Sequence, residues 1–179
     1  WDYEQHTYEA GSIRLISNPT GIYAKEPVVF YKLVQLMKEA GERVVIQSPY
    51  VVLNSYMCQE LTMLKETVPD VKILLNSVEN GDNFVASSDY LRNKDRILDT
   101  GIPLYEYDGG ISNHAKSILI DSDLSVIGSY NLDLRSSYLD TELMLVVESR
   151  ELNRELEGYM KEMETDSRRV LPDGNYEVP

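Results

Sequence analysis

The chain is 179 residues long, 42% hydrophobic and 26% charged, with a formal net charge of −13. That length and apolar share suit one well-packed domain, and the charge excludes the broad basic footprint of a protein that grips nucleic acid along its phosphates. The single cysteine, Cys58, excludes an intrachain disulfide and a multi-cysteine zinc site, and reads as a small structural residue.

In chain order, residues 1–12 lack periodicity and read as a linker from a preceding half; "SIRLISN" then reads as a strand. From Glu26 to Ala40, apolar residues recur at three- and four-residue spacings and Gly41 follows as a stop, which predicts a helix. "RVVIQSPYVV" is a β-branched run broken by Pro49, as expected of a buried strand that ends where a ladder donor is lost. A second helix is expected over Tyr56–Thr67, capped by Asn54 or Ser55, and "VKILLNSV" is another buried strand. "ENGDNFVASS" reads as a loop, and a third helix is expected over Ser88–Asp99 before Gly101.

Past Gly101 the alternation gives way to four strand-like segments, "PLYEYDG", "HAKSILID", "LSVIGS" and "ELMLVVES", joined by short connections. A last helix, Glu151–Thr165, carries an apolar stripe opposite a charged face, and the stripe reads as core cover. Residues 167–179 read as an extended tail. The longest apolar runs, such as Leu143–Val147, fall far short of the roughly 20 residues of a membrane span. The pattern predicts one α/β sandwich domain over residues 13–166, a mixed sheet with helices on both faces. Because the chain opens on Trp1 and closes on "PDGNYEVP", it reads as a piece of a longer protein.

The chemistry concentrates in "NHAKSILIDSDLSVIGSYNLDLRSS". On a strand, His114 and Lys116 share a face while Asp121 points the other way. A short turn at Ser122 and Asp123 returns a second strand that delivers Gly128, Ser129 and Asn131 beside them, with Gly128 expected to allow close approach of a ligand. An imidazole, an ammonium, a hydroxyl and an amide at one spot suit a phosphoryl group: the cation and donors neutralise its oxygens, and the imidazole attacks phosphorus or protonates a leaving oxygen. Taken alone, a histidine on a strand reads as a satisfied structural residue.

The wider pattern, HxKxxxxD followed after six intervening residues by GSxN, resembles the signature of the phospholipase D superfamily; His114, Lys116, Asp121, Gly128, Ser129 and Asn131 fill every fixed position. The continuation "NLDLRSSYLDTE" and the segment "VVIQSPYVV" are similar to the bacterial cardiolipin synthase branch. The resemblance implies that His114 is the nucleophile or general acid and that Lys116 binds the phosphate. Ser129 and Asn131 would hydrogen-bond its oxygens, and Asp121 would be structural. Glu142 would hold the catalytic imidazole through its other nitrogen, as tautomer control requires, and Tyr50 would lie by the substrate pocket.

The reaction the resemblance implies runs through a phosphohistidine and uses two histidines. The other histidine here, His6, has no lysine two residues on and no following GSxN, so it is not expected to serve. The second motif is expected from another half of the same polypeptide or from a homodimer partner. Acidity favours the former, since single-motif dimeric nucleases of the family tend to be basic. The implied function is phosphatidyl transfer or phosphodiester cleavage on phospholipids, with phosphatidylglycerol the favoured substrate, no cofactor and no metal, in a full-length protein at the bacterial cytoplasmic membrane of which this chain is a soluble part. In the second half of such an enzyme, His114 would be the general acid. The alternatives are a homodimeric phosphodiesterase acting on nucleic acid and a non-catalytic lipid-binding lobe.

Overall fold

The computed structural model describes residues 2–21, 26–81 and 83–177, except the side chain of His6. The expectation for His6 and the Asp82 position of the expected loop therefore lie outside it.

Eight strands form one mixed sheet in the order β1-β7-β6-β5-β2-β3-β4-β8. The first half of the chain builds its parallel part: β2 (Arg43–Gln47), α2 (Ser55–Thr67), β3 (Asp70–Asn76), α3 (Phe84–Leu98) and β4 (Leu104–Tyr107) make two successive parallel crossovers. The second half adds an antiparallel meander of β5 (Ser117–Ile120), β6 (Leu124–Gly128) and β7 (Leu143–Glu148), with β5 docking antiparallel on β2. β1 (Ser12–Ser17) closes one edge against β7.

Strand parity divides the core. Val44 and Ile46 point to a large cluster with α1 (Val28–Lys38) and α2, in which Phe30, Leu33, Met57 and Leu61 are buried. Val45, Leu74 and Leu119 point to the other face, where Met160 and Met163 of α5 (Arg150–Thr165) cover them. Burial on both faces is why β2 reads as an unbroken apolar run, and each such side chain contributes about 1.5–3 kcal/mol. The α/β sandwich with helices on both faces is the architecture expected.

Four details differ from the sequence reading. α3 starts at Phe84, a turn before Ser88, because the Asn83 side chain accepts from Val85 N and Ala86 N. Phe84 and Val85 are exposed, so apolar periodicity could not announce that turn. "LRSSY" forms a short helix, α4 (Leu134–Tyr138), capped by Asp133, which accepts from Ser136 N. The segment read as a tail includes β8 (Ser167–Val170), paired antiparallel with β4 and joined by a bridge from Val170 to Tyr176. Tyr176 is held there by its hydroxyl, which donates to the buried Glu106 at 2.8 Å. Finally, His114 and Lys116 precede β5, because Ala115 N donates to the Asn113 side chain at 2.9 Å and not to a neighbouring strand.

Candidate active site

The site lies at one end of the sheet, where β2 and β3 finish and β5 begins. The apolar runs Val44–Ile46 of β2 and Ile73–Leu75 of β3 each end on a buried amide, Gln47 and Asn76. A buried amide needs partners, and both find them in the segment before His114. Asn76 Nδ2 donates to Asn113 O at 2.8 Å while its Oδ1 accepts from Asn113 N at 2.9 Å. Gln47 Nε2 donates to Asn113 Oδ1 at 3.2 Å, and its Oε1 accepts from Ser117 Oγ at 2.7 Å. These two amides clamp the backbone on which His114 stands. Sequence reasoning missed them; the available signal was a carboxamide directly after a three-residue apolar run in each of two strands.

A second set of contacts carries Tyr50 and Asn131 to the same end. Ser48 Oγ accepts from Leu132 N at 3.0 Å and donates to Tyr50 O at 2.7 Å, and Val52 N donates to Leu132 O at 3.0 Å. Segments some eighty positions apart in the chain are thereby sewn together. The Tyr50 ring meets the His114 ring edge-on, with centroids 6.0 Å apart.

Lys116 Nζ lies 2.8 Å from His114 Nδ1 and 2.7 Å from His114 O. Nε2 of the same ring lies 3.4 Å from that ammonium, so Lys116 sits against both ring nitrogens. The pair is brought together as the sequence predicts, though by an extended turn and not by strand parity.

Glu142 is where the structure departs from the expected constellation. Its carboxylate accepts from Ser129 Oγ and, at 2.7 Å, from Ser136 Oγ, and it makes no hydrogen bond to His114. The reason is topological. Ser129 follows β6 and Glu142 precedes β7, so the antiparallel pair sets them side by side, with Ser129 N donating to Leu143 O at 2.9 Å. His114 comes in just ahead of β5, beyond β6. The Ser129 hydroxyl proton, expected at the phosphate, is here committed to Glu142. Asn131 donates its backbone N–H to Ser136 Oγ at 3.2 Å, and its buried Oδ1 has no partner.

Gly128 also has a different reason from the one expected. A Cβ there would sit 2.1 Å from Leu143 O and 2.6 Å from Met144 Sδ, so the glycine admits the neighbouring strand β7 and not a ligand.

Asp121 sits at the opposite end of β5, in the left-handed region with φ 52°. Its carboxylate accepts from Gly41 N at 3.0 Å, Glu42 N at 2.9 Å and Arg43 N at 3.0 Å. Burial pushes its pKa up, but the three backbone donors outweigh that and hold it below the usual carboxylate value. Asp121 therefore ties the β5–β6 turn to the start of β2.

Beside Tyr50 opens a cavity of about 990 Å³, lined by Asn54, Val85, Asn131, Tyr138 and Leu139 among others. Among the described residues no group of three or more His, Cys, Asp or Glu side chains could hold a metal ion.

Residues 33–164 match the family model described as "Cardiolipin synthase, PLD-like domain". Over 139 residues the chain is 29% identical to cardiolipin synthase A of Yersinia pseudotuberculosis and of Yersinia pestis, a match covering 76% of this chain and 27% of theirs. The chain thus spans little more than a quarter of the length of these curated relatives. Its fold is similar to that of Nuc from Salmonella typhimurium, a phospholipase D family member, with TM-score 0.70 at 20% identity, covering 89% of this chain and 97% of that one. It is equally similar to phosphatidylserine synthase of Haemophilus influenzae, with TM-score 0.70 at 17% identity, over 88% of this chain and 40% of that one. With its family match covering well over half of its residues, the chain belongs to the phospholipase D-like domain family of the cardiolipin synthases.

Proposed function

We propose that this chain is the second catalytic half of a two-motif phosphatidyltransferase of cardiolipin synthase type. Residues 13–166 would be its motif-bearing domain, and residues 1–12 would lead in from the first half at the bacterial cytoplasmic membrane. The observation that carries the reading is the His114–Lys116 pair, 2.8 Å apart on an amide clamp and against Tyr50, in a chain of this family.

In the proposed reaction the imidazole of the other half attacks phosphorus of phosphatidylglycerol. A P–N bond forms, the P–O bond to glycerol breaks, and His114 gives its proton to the departing glycerol oxygen. A hydroxyl of a second phosphatidylglycerol then loses its proton to His114 and attacks phosphorus. The P–N bond breaks, and cardiolipin and the free imidazole result. Lys116 turns from His114 to the phosphate oxygens and neutralises them, as an oxyanion site requires. Ser129 and Asn131 are the further donors, Ser129 by swinging its hydroxyl away from Glu142.

The two-motif polypeptide incubated with phosphatidylglycerol yields cardiolipin and glycerol, and its His114→Ala form does not. Unchanged turnover by that variant would sink the assignment. The second reading, a homodimer acting on nucleic acid, draws support from the match to 97% of Nuc, a chain of one-lobe size. A tight dimer of this chain by light scattering, cleaving DNA but not lipid, would favour it.

A further inference from the structure

We infer that an apolar rim around the mouth of the candidate site docks on the acyl-chain layer of a phospholipid surface. This acidic chain would then meet lipid through hydrophobic side chains and not through charge. The inference rests on the phospholipid reading above and names how that substrate is presented.

Four large apolar side chains stand out in solvent: Phe84 is 86% exposed, Ile111 80%, Val85 68% and Leu139 64%. They belong to the segments that flank the site. Val85 and Leu139 line the cavity beside Tyr50, whose ring meets His114. Phe84 adjoins Val85 in the first turn of α3, which Asn83 caps by accepting from Val85 N and Ala86 N, each at 3.1 Å. Ile111 lies two residues before the clamped Asn113, and its carbonyl accepts from Asn80 Nδ2 at 3.0 Å. Each side chain is thus held outward from a tethered backbone. Exposed apolar groups clustered at a site mouth mark a docking surface, and such groups seat roughly 5–10 Å into the boundary between headgroups and acyl chains.

The charges argue for the same occupant. The charged residues lining the cavity are Asp89, Asp133, Arg135 and Asp140, and Arg135 is paired with Asp140 at 2.9 Å. With carboxylates in excess there and a net charge of −13, Coulomb attraction to an anionic headgroup layer is not available. A phospholipid brings both parts of what this mouth offers, a phosphate for Lys116 and acyl chains for the rim.

The test is co-sedimentation of the 179-residue chain with vesicles of uncharged phosphatidylcholine, alone or mixed with phosphatidylglycerol. The chain is expected to bind neutral vesicles, with no loss as salt is raised. A combined Phe84→Ser and Ile111→Ser form lowers vesicle affinity at least about tenfold. Ile13→Ser with Leu15→Ser, which removes exposed apolar side chains from the edge strand β1, leaves affinity unchanged. All four positions are exposed, so circular dichroism should show every variant folded.

Failure to bind either vesicle, binding that salt abolishes, or equal binding by the rim variant would overturn the inference; the last result would leave the rim to a second protein half. Turnover of monomeric short-chain phosphatidylglycerol separates the two claims. His114-dependent turnover by the two-motif polypeptide, without rim-dependent vesicle binding, sinks the docking alone. Rim-dependent binding without any turnover of that lipid sinks the substrate reading alone.

Discussion

The carboxylate of Glu142 is taken by the hydroxyls of Ser129 and Ser136, so Ser129 and Glu142 act as a unit at the ends of β6 and β7. Glu142 is 7% exposed, and a buried carboxylate is tolerated only while its donors remain. Replacing Ser136 by alanine strips one donor from the carboxylate and should destabilise the fold by about 1–3 kcal/mol. Urea denaturation measures it, and a change within about 0.5 kcal/mol would show that the contact is idle.

His114 is exposed and Lys116 is half-buried, and His114→Ala and Lys116→Met should each shift the denaturation midpoint only slightly. In the two-motif polypeptide each should cut turnover of phosphatidylglycerol by about 10²–10⁴-fold. Loss of stability alongside loss of turnover would instead mark the pair as structural.

Gly128→Ala tests the packing of β6 on β7. A Cβ 2.1 Å from Leu143 O must push the strand backbones apart, since no flexible side chain end can yield there. The expected cost is about 1–3 kcal/mol or more, read as a lower melting temperature before any ligand is added. An unchanged melting temperature would restore the ligand-approach explanation.

Asp121 gives a pH test with a defined sign. Its folded pKa lies below its unfolded value, so the stability it contributes is fully present above the unfolded value, about 3.9, and is lost as pH falls through the folded one. Asp121→Ala should therefore be destabilised by about 1–3 kcal/mol at neutral pH, with the gap to the parent narrowing below about pH 4. Asn, which keeps an acceptor and tolerates φ 52°, should cost less than Ala. A gap that is constant with pH would mean that the carboxylate charge contributes nothing.

Glu157 behaves alike at the α5 interface. Its hydrogen bond to Arg43 Nη1 at 2.5 Å, seconded by Lys161, lowers its pKa to about 2 from an ordinary 4.5. The stabilisation is complete above pH 4.5 and fades as pH falls toward 2. Arg43→Met removes this pairing as well as the Arg43 contact to Asp121 O. Denaturation across that window should show a shallower acid loss in the variant than in the parent, and parallel curves would contradict the pairing.

The sequence by itself determined the α/β class, the alternation of helices and strands before Gly101, and the pairing of His114 with Lys116. These follow from local periodicity and from one contiguous motif, which a linear reading can see. Tertiary structure decided what depends on neighbours distant in the chain. Gln47 and Asn76 became clamps because β2 and β3 end beside Asn113. Glu142 went to Ser129 because β6 pairs with β7, and Gly128 proved necessary because the Leu143 carbonyl lies against it. The α3 start at exposed Phe84 and the docking of β8 on β4 were likewise invisible to periodicity. The physical reason is that periodicity reports which face of an element is buried, while hydrogen-bond partners and close backbone contacts are set by strand order, which no local pattern encodes.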